Sequence, residues 1–513
     1  MQSMTRDIYH FIGGKMKEGT GSRKKAVYNP ATGEVIGYCP LATTEEVNEA
    51  VKEAEKGFKQ WRKMNMTKRM EVLHRFRQLL VDHRDDFIHE IGRENGKTIV
   101  DAEGELNRAI ESVDFALSVP QLLKGEYSTN VATDIHTFSI KQPLGVVVCI
   151  SPFNFPIMVP AAMSTMAVAC GNAVILKPSE KVPNSALLLS KLWKEAGLPD
   201  GVWSVVNGDK EAVDALVTHP STQAVSFVGS TPVAKYIYEL GTKHHKRVAA
   251  FGGGKNHMVI MPDADMDNAV NNFIGAAYGA ASQRCMALSV AMPVGEKTAN
   301  EFVAKLKQRV EELKVGTYED ETSDFGPVIS REAKESVLEA IQRGLEDGAE
   351  LVVDGRTPNN DVSESGFFLG ATLLDNVTPN MNIYKEEVFG PARIVVRVKS
   401  LDEAIDLVND HKYGNGVTIF TQNGSAAREF YENIEVGMVG VNVPIPIPVG
   451  YHNFAGWKQS RFGEGHMFGP DTARFFTKTK TVTERWPKVD GEIEKASFSF
   501  PSNETNRRTT NAP

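Results

Sequence analysis

The stretch Leu144–Lys177, LGVVVCISPFNFPIMVPAAMSTMAVACGNAVILK, decides the fold. Leu144 to Ile150 is a short, unbroken apolar run, the pattern of a strand buried on both faces. Ser151-Pro152-Phe153-Asn154-Phe155-Pro156 interrupts it, and Ala173 to Lys177 then reads as a second buried strand. Pro156 to Leu176 imitates a membrane span, but Pro160, Ser164, Thr165, Gly171 and Asn172 break the run. A buried helix feeding a buried strand accounts for it better. The order repeats with a helix near Ala186 to Ala196 and strands at Val202 to Val206 and Ala224 to Val228. Such alternation predicts an α/β fold with a parallel sheet covered on both faces, binding ligands beyond the carboxyl ends of its strands.

Toward the N-terminus, the residues up to Pro40 alternate short strand-like pieces with turns. Thr43 with Glu46 forms a capping box, and Val47, Ala50, Val51, Ala54, Phe58 and Trp61 recur at helical spacing. Two more helices are expected, from about Thr67 to Arg93 and from about Lys97 to Val119, before a polar, β-prone stretch from Gly125 to Lys141. Toward the C-terminus, Gly253 to Val443 alternates again, with helices near Asn268–Ala281, Ala299–Leu313, Arg331–Asp347 and Leu401–Asp410, and reads as a second α/β domain. After Phe475, TKTKTVTERW is β-prone and leads into a polar tail expected to be disordered from about Pro501.

A chain of 513 residues suggests two or three domains. Its net charge of −8 argues against a general nucleic-acid or anionic-membrane role. The four cysteines, Cys39, Cys149, Cys170 and Cys285, lack disulfide density and metal-site spacing, so no metal and a reducing, cytoplasmic setting are expected. The N-terminus has no apolar signal core.

Chemistry concentrates in Phe251 to Ser289, FGGGKNHMVIMPDADMDNAVNNFIGAAYGAASQRCMALS. Cys285 is the candidate nucleophile, with small residues making a thin-walled approach from two sides and Arg284 adjacent to favour the thiolate. The alternative is a small buried hydrophobe. KNHMVIMPDAD, SQRCMALS, SPFNFP, ILKPSE, FVGSTPVAK, EEVFGP and FAGWKQSRFG together resemble the aldehyde dehydrogenases, and within them the CoA-acylating methylmalonate-semialdehyde dehydrogenases. The resemblance runs over nearly the whole chain. It implies an aldehyde dehydrogenase-like fold with an NAD-binding domain (1–124 and 146–252), a catalytic domain (253–450), a small β oligomerisation element (125–145 and 475–495) and a tail (496–513). Relatives form dimers or tetramers.

For the cofactor, the resemblance assigns Lys177 and Glu180 to the adenosine ribose hydroxyls, where a carboxylate would repel a 2′-phosphate and favour NAD over NADP. A surface Lys-Glu pair is the plain alternative. Phe227 ends a strand, Gly229 turns the chain, and Ser230 or Thr231 caps a helix whose free N–H groups can hold a phosphate. The resemblance adds Ser151 and Phe153 to the cofactor contacts, puts Glu387 on the nicotinamide-side ribose, and packs Phe389 near the nicotinamide.

For the reaction, Cys285 would attack an aldehyde to give a thiohemiacetal whose oxyanion is met by the Asn154 amide and the Cys285 backbone N–H. Hydrolytic relatives carry a Glu, four residues before the Lys of the GGK motif, to activate water; here that position is Phe251. A phenyl ring takes no proton, whereas a thiol with a pKa near about 8.5 needs far less help than water. Phe251 therefore points to coenzyme A as acyl acceptor, the alternative being a hydrolytic enzyme with another carboxylate as base. Arg284 and Arg108 are candidates for a substrate carboxylate, although Arg108 can equally pair with Glu105 or Glu111 on its own helix. Phe155, Phe454 and Trp457 are candidate pocket walls, with core packing the alternative for each. His257 has no visible partner and reads as structural, and Ser282 stands where the family usually has Gly. The expected substrates are malonate or methylmalonate semialdehyde, converted with decarboxylation to acetyl-CoA or propionyl-CoA. A non-catalytic nucleotide-binding member is the reading from another class.

Overall fold

Five parallel strands, almost wholly buried, form the centre of one sheet in a computed structural model that describes residues 6–486. Their order is Arg247–Phe251, Thr222–Val228, Val146–Ile150, Ala173–Lys177, Trp203–Val205. Arg461–Gly463 closes one edge antiparallel to Arg247–Phe251, and His10–Ile12 followed by Lys15–Lys17 closes the other, giving eight strands. Alternate residues of the Val146–Ile150 strand join different apolar cores, Val147 and Cys149 on one face and Val146, Val148 and Ile150 on the other, as a sheet covered on both sides requires. The apolar run after Pro156 is a helix buried at every position followed by the Ala173–Lys177 strand. Among the described residues no helix is long and apolar enough to cross a membrane.

Among the described residues ten α-helices precede Cys285: α1 (Thr44–Trp61), α2 (Met66–Asp82), α3 (Arg84–Asn95), α4 (Ile99–Ala116), α5 (Val119–Leu122), α6 (Met158–Ala169), α7 (Pro183–Glu195), α8 (Lys210–Thr218), α9 (Thr231–Lys243) and α10 (Met266–Tyr278). The Thr43–Glu46 capping box is present, and Trp61 is buried. The single helix expected over 67–93 is two: His83 leaves helical geometry at φ −99°, ψ 24°, and Asp85 and Asp86 favour a new N-terminus. The helix expected to reach Ala281 stops at Tyr278, and Ala280, Ala281 and Ser282 turn left-handed with φ of 54°, 50° and 61°. Alanine favours helix by propensity; tertiary hydrogen bonds described below override it here.

Gly252 to Lys255 link the first sheet to a second of seven strands, ordered Glu350–Val353, Thr372–Asp375, Ala392–Val395, Leu288–Pro293, Asn256–Ile260, Gly416–Phe420, Met438–Val441. All pairs are parallel except Glu350–Val353 with Thr372–Asp375. A third sheet joins Tyr127–Ala132 and Ile135–Pro143 to the distant Thr477–Arg485. The tail expected at 496–513 and the end of the 475–495 stretch lie outside the described residues.

Candidate active site

Four neighbouring strands of the first sheet end on one cleft. Ser151 to Asn154 follow Ile150, Lys177 is the last residue of its strand, Gly229 and Ser230 follow Val228, and Gly252 and Gly253 follow Phe251. These residues, with Glu180, Glu387, Phe389 and Cys285, line a cavity of about 470 Å³. Phe153 and Phe389, packed edge to face at 5.9 Å, also line a second space of about 350 Å³ together with Gln283 and Ser336.

The donor set suits a dinucleotide. Ser230 occupies the cap position of α9 without a side-chain cap bond, so the first N–H groups of the helix are left for a ligand phosphate. Of the two residues expected to cap α9, Ser230 holds the cap position, and the Thr231 hydroxyl accepts from Gly253 N–H at 2.8 Å. Lys177 and Glu180 stand 3.6 Å apart, and Lys25, from the Lys24–Tyr28 strand, reaches Glu180 at 2.9 Å. Burial alone would raise the Glu180 carboxyl, but Lys177 and then Lys25 hold it down to about 2. A fixed negative charge therefore lines this part of the cleft. Glu387 is half-buried and accepts from Gly254 N–H at 3.1 Å, and desolvation raises its carboxyl above the usual range.

Cys285 lies between two spaces. Besides the large cleft it lines a narrow pocket of about 20 Å³ walled by Phe155, Phe251, Phe454 and Phe468, with Asn154 and Asn415 as the amides. No carboxylate is among the lining residues of this pocket, and Phe251 packs edge to face on Phe454 at 6.3 Å. The space holds about one water, so an aldehyde arriving from this side must displace lining side chains. Trp457 is not a wall: it is half-exposed on a short strand paired with Tyr413–Gly414.

Cys285 is held by its backbone. The Cys285 carbonyl accepts from both Asn256 Nδ2 and Asn415 Nδ2 at 2.9 Å. Burial pushes the thiol up to about 12, Glu387 adds to that, and the N–H groups of Cys285 and Met286 and the Lys97 ammonium pull the other way. Arg284 does not supply this charge, correcting the sequence expectation. Its guanidinium turns away across Gly279, where a β-carbon would lie 2.7 Å from Nη1, to pair with Asp101 and Gly275 O. Lys97 takes that place, buried 4.0 Å over the Phe155 ring and paired with Glu105 at 2.5 Å.

The structure brings Ser151, Phe153, Asn154, Lys177, Glu180, Gly229, Ser230, Cys285, Glu387 and Phe389 onto one cavity. It does not bring the two arginines onto it: Arg108 pairs with Glu111 at 2.7 Å on its own helix. Sequence reading missed Lys25, Lys97, Asp101, Glu105, Asn256 and Asn415. Only Asn256, beside Lys255 in the quoted stretch, carried any local signal. His257 is buried beside Tyr384 and His411, in agreement with a structural role, and Ser282 donates its hydroxyl to Ala277 O at 2.6 Å. No group of three or more His, Cys, Asp or Glu that could hold a metal occurs among the described residues.

A parallel sheet whose strand ends line one cleft, with a half-buried cysteine and a side-chain amide in its lining, fits an aldehyde-oxidising class, and the chain belongs to the aldehyde dehydrogenase family, whose profile matches residues 17–482. Within the family it is similar to the malonate-semialdehyde dehydrogenase of Pseudomonas aeruginosa, 52% identical over 495 residues that cover 96% of this chain and 99% of the relative. The crystal structure of methylmalonate-semialdehyde dehydrogenase from Oceanimonas doudoroffii superposes with a TM-score of 0.93 at 52% identity, covering 95% of this chain and 99% of that one. A Sinorhizobium meliloti chain described as a methylmalonate-semialdehyde dehydrogenase, crystallised with NAD, gives a TM-score of 0.94 at 49% identity over 96% of this chain and 100% of its own.

Proposed function

We propose that this chain oxidises malonate or methylmalonate semialdehyde with NAD and transfers the acyl group to coenzyme A with loss of CO₂, giving acetyl-CoA or propionyl-CoA. The observation that carries this reading is the pocket beside Cys285, walled by Phe251 and its aromatic neighbours without a carboxylate. Cys285 attacks the aldehyde carbon, and the oxyanion is met by the Asn154 amide and the Cys285 N–H. The Asn154 amide has no hydrogen-bond partner among the described residues, which leaves it free for this task. Bound NAD supplies the hydride acceptor. Lys177 and Glu180 hold its adenosine ribose, α9 with Gly229 and Ser230 its phosphates, Glu387 its second ribose, and Ser151, Phe153 and Phe389 its remaining contacts. An acyl thioester on Cys285 follows.

With a carboxylate β to the thioester carbonyl, C–C cleavage releases CO₂ and leaves an enolate stabilised by the same donors; protonation gives the shortened acyl group. The CoA thiolate then attacks this carbonyl and the Cys285 thiolate leaves. Arg284, in the turn before Cys285, and Arg108, on α4, are the residues proposed for the substrate carboxylate. The first sheet serves as the NAD-binding domain and the second as the catalytic domain. The third sheet, with Tyr127, Val131 and Ile140 exposed, joins copies into a homodimer or tetramer, to be checked by light scattering. Four free thiols suit a cytoplasmic location.

The test is NADH formation from malonate semialdehyde and NAD with and without coenzyme A. Sustained turnover only with CoA, yielding acetyl-CoA, is expected. Equal turnover without it, yielding a free acid, would place the chain with the hydrolytic enzymes.

A further inference from the structure

Helix α4 touches both halves of the reaction centre. Asp101 and Glu105 are one helical turn apart, so their side chains share a face. Asp101 grips the nucleophile's turn: its Oδ2 accepts from Ala280 N–H at 2.9 Å and its Oδ1 pairs with Arg284. Those two bonds bracket the left-handed residues 280–282 that precede Cys285, a conformation that persists only where surrounding contacts impose it. Glu105 grips the oxyanion loop: its Oε1 accepts from Ile157 N–H at 2.8 Å and Met158 N–H at 3.1 Å, capping α6. Its Oε2 holds Lys97, whose ammonium lies under Phe155, and Asn95 Nδ2 donates to Phe153 O at 2.8 Å. The backbone on both sides of Asn154 is thus held, by Asn95 of α3 before it and by Glu105 of α4 after it.

We infer that Asp101 and Glu105 are positioning residues for the reaction, a rigid pair on α4 that sets the Cys285 thiol and the Asn154 amide at the spacing a thiohemiacetal requires. The inference rests on the reading of Cys285 as nucleophile and Asn154 as oxyanion donor. Neither carboxylate touches substrate. Their action is geometric, and displacement of a reacting group by about 1 Å costs on the order of 100-fold in rate.

The experiment compares matched variants by the burst of NADH without CoA, by iodoacetamide alkylation of Cys285, and by KM for NAD. Lys97→Met/Glu105→Gln keeps an acceptor for the α6 N–H groups, while Lys97→Met/Glu105→Leu loses it. Both remove the buried charges together, a change that proteins commonly tolerate. The Leu variant is expected to show a burst about 10- to 100-fold slower than the Gln variant, with the same alkylation rate and the same KM for NAD. Asp101→Leu is expected to slow both burst and alkylation about tenfold relative to Asp101→Asn, which still accepts from Ala280. This second pair, at a less buried site, decides the matter if the first does not fold. Equal bursts within each pair, with Cys285→Ala inactive, would overturn the inference alone. A burst retained by Cys285→Ala would overturn the reading beneath it.

Discussion

Gly253 and Glu387 approach so closely that a β-carbon on Gly253 would lie 2.1 Å from Glu387 Oε2. The only side chain that fits beside this carboxylate is a hydrogen atom. Gly253→Ala should therefore push Glu387 off its bond to Gly254 and raise KM for NAD by about tenfold or more, as Glu387→Gln should. Steady-state titration of NAD checks this; unchanged KM in both variants would remove Glu387 from the cofactor.

The pH dependence of thiol reactivity follows from the same carboxylate. Burial and then Glu387 hold the Cys285 thiol near 12, so in the enzyme without cofactor alkylation should keep rising through pH 10. Glu387→Gln removes a negative charge, favours the thiolate, and should speed alkylation a few-fold at pH 9, the gain being tempered by lower nucleophilicity. At acidic pH the two enzymes should converge, because Glu387, raised by burial, is then protonated. A plateau below pH 8 would contradict this account.

Restoring a base should change the acyl acceptor. Phe251 ends its strand within the Cys285 pocket, and Phe251→Glu places a carboxyl there whose burial raises its pKa toward that of a working base. CoA-independent NADH turnover should appear at about 10-fold or more above the parent, with a lower melting temperature from the lost Phe454 contact. Turnover without CoA that stays at the parent level would show that Phe251 is not what excludes water chemistry.

Ser282 balances two small effects. Its φ of 61° strains a side-chain-bearing residue, and its hydroxyl bond to Ala277 O offsets that. Ser282→Gly, relieved of strain but without the bond, should change stability by less than about 1 kcal/mol, whereas Ser282→Ala keeps the strain and should lose about 1 kcal/mol. Chemical denaturation distinguishes the two.

Nucleotide selectivity should depend on three residues. Glu180→Ala should raise KM for NAD and let NADP be used, because the charge held near 2 by Lys177 and Lys25 is ionised at every working pH. The acid side has a matching signature: the stability Glu180 contributes is present above its unfolded value near 4.5 and is lost as pH falls toward 2, so the variant's stability should fall less over that range. The ratio of kcat/KM for the two nucleotides is the first measurement.

What the sequence revealed was what is contiguous in it. The strands at 146–150 and 173–177 announced themselves by unbroken apolar runs between breakers; Asn154, Lys177, Glu180 and Phe251 each sat in a short motif at a strand end, and Cys285 in one just before a strand. Long-range partners left no such trace. Asn415 reaches the Cys285 carbonyl from 130 positions away, and Lys25 reaches Glu180 from 155. The end of α10 at Tyr278 was unreadable for another reason: alanines in a left-handed turn look like alanines in a helix until Asp101 is seen to hold them. Arg284 misled in the same way, since adjacency along the chain says nothing of which direction a long side chain takes.

The third sheet imposes an order on biosynthesis. Ile135–Pro143 waits unpaired on one side until Thr477–Arg485 has been made, and Asn172, which braces the start of the central strand through Leu144 and Gly145, also donates to Phe476 O, 304 positions later. A ribosome delivering about 5–20 residues per second leaves that edge open for tens of seconds. Throughout that interval the nascent chain carries an exposed strand edge, the kind of surface that chaperones guard and that joins wrongly to its neighbours when they do not.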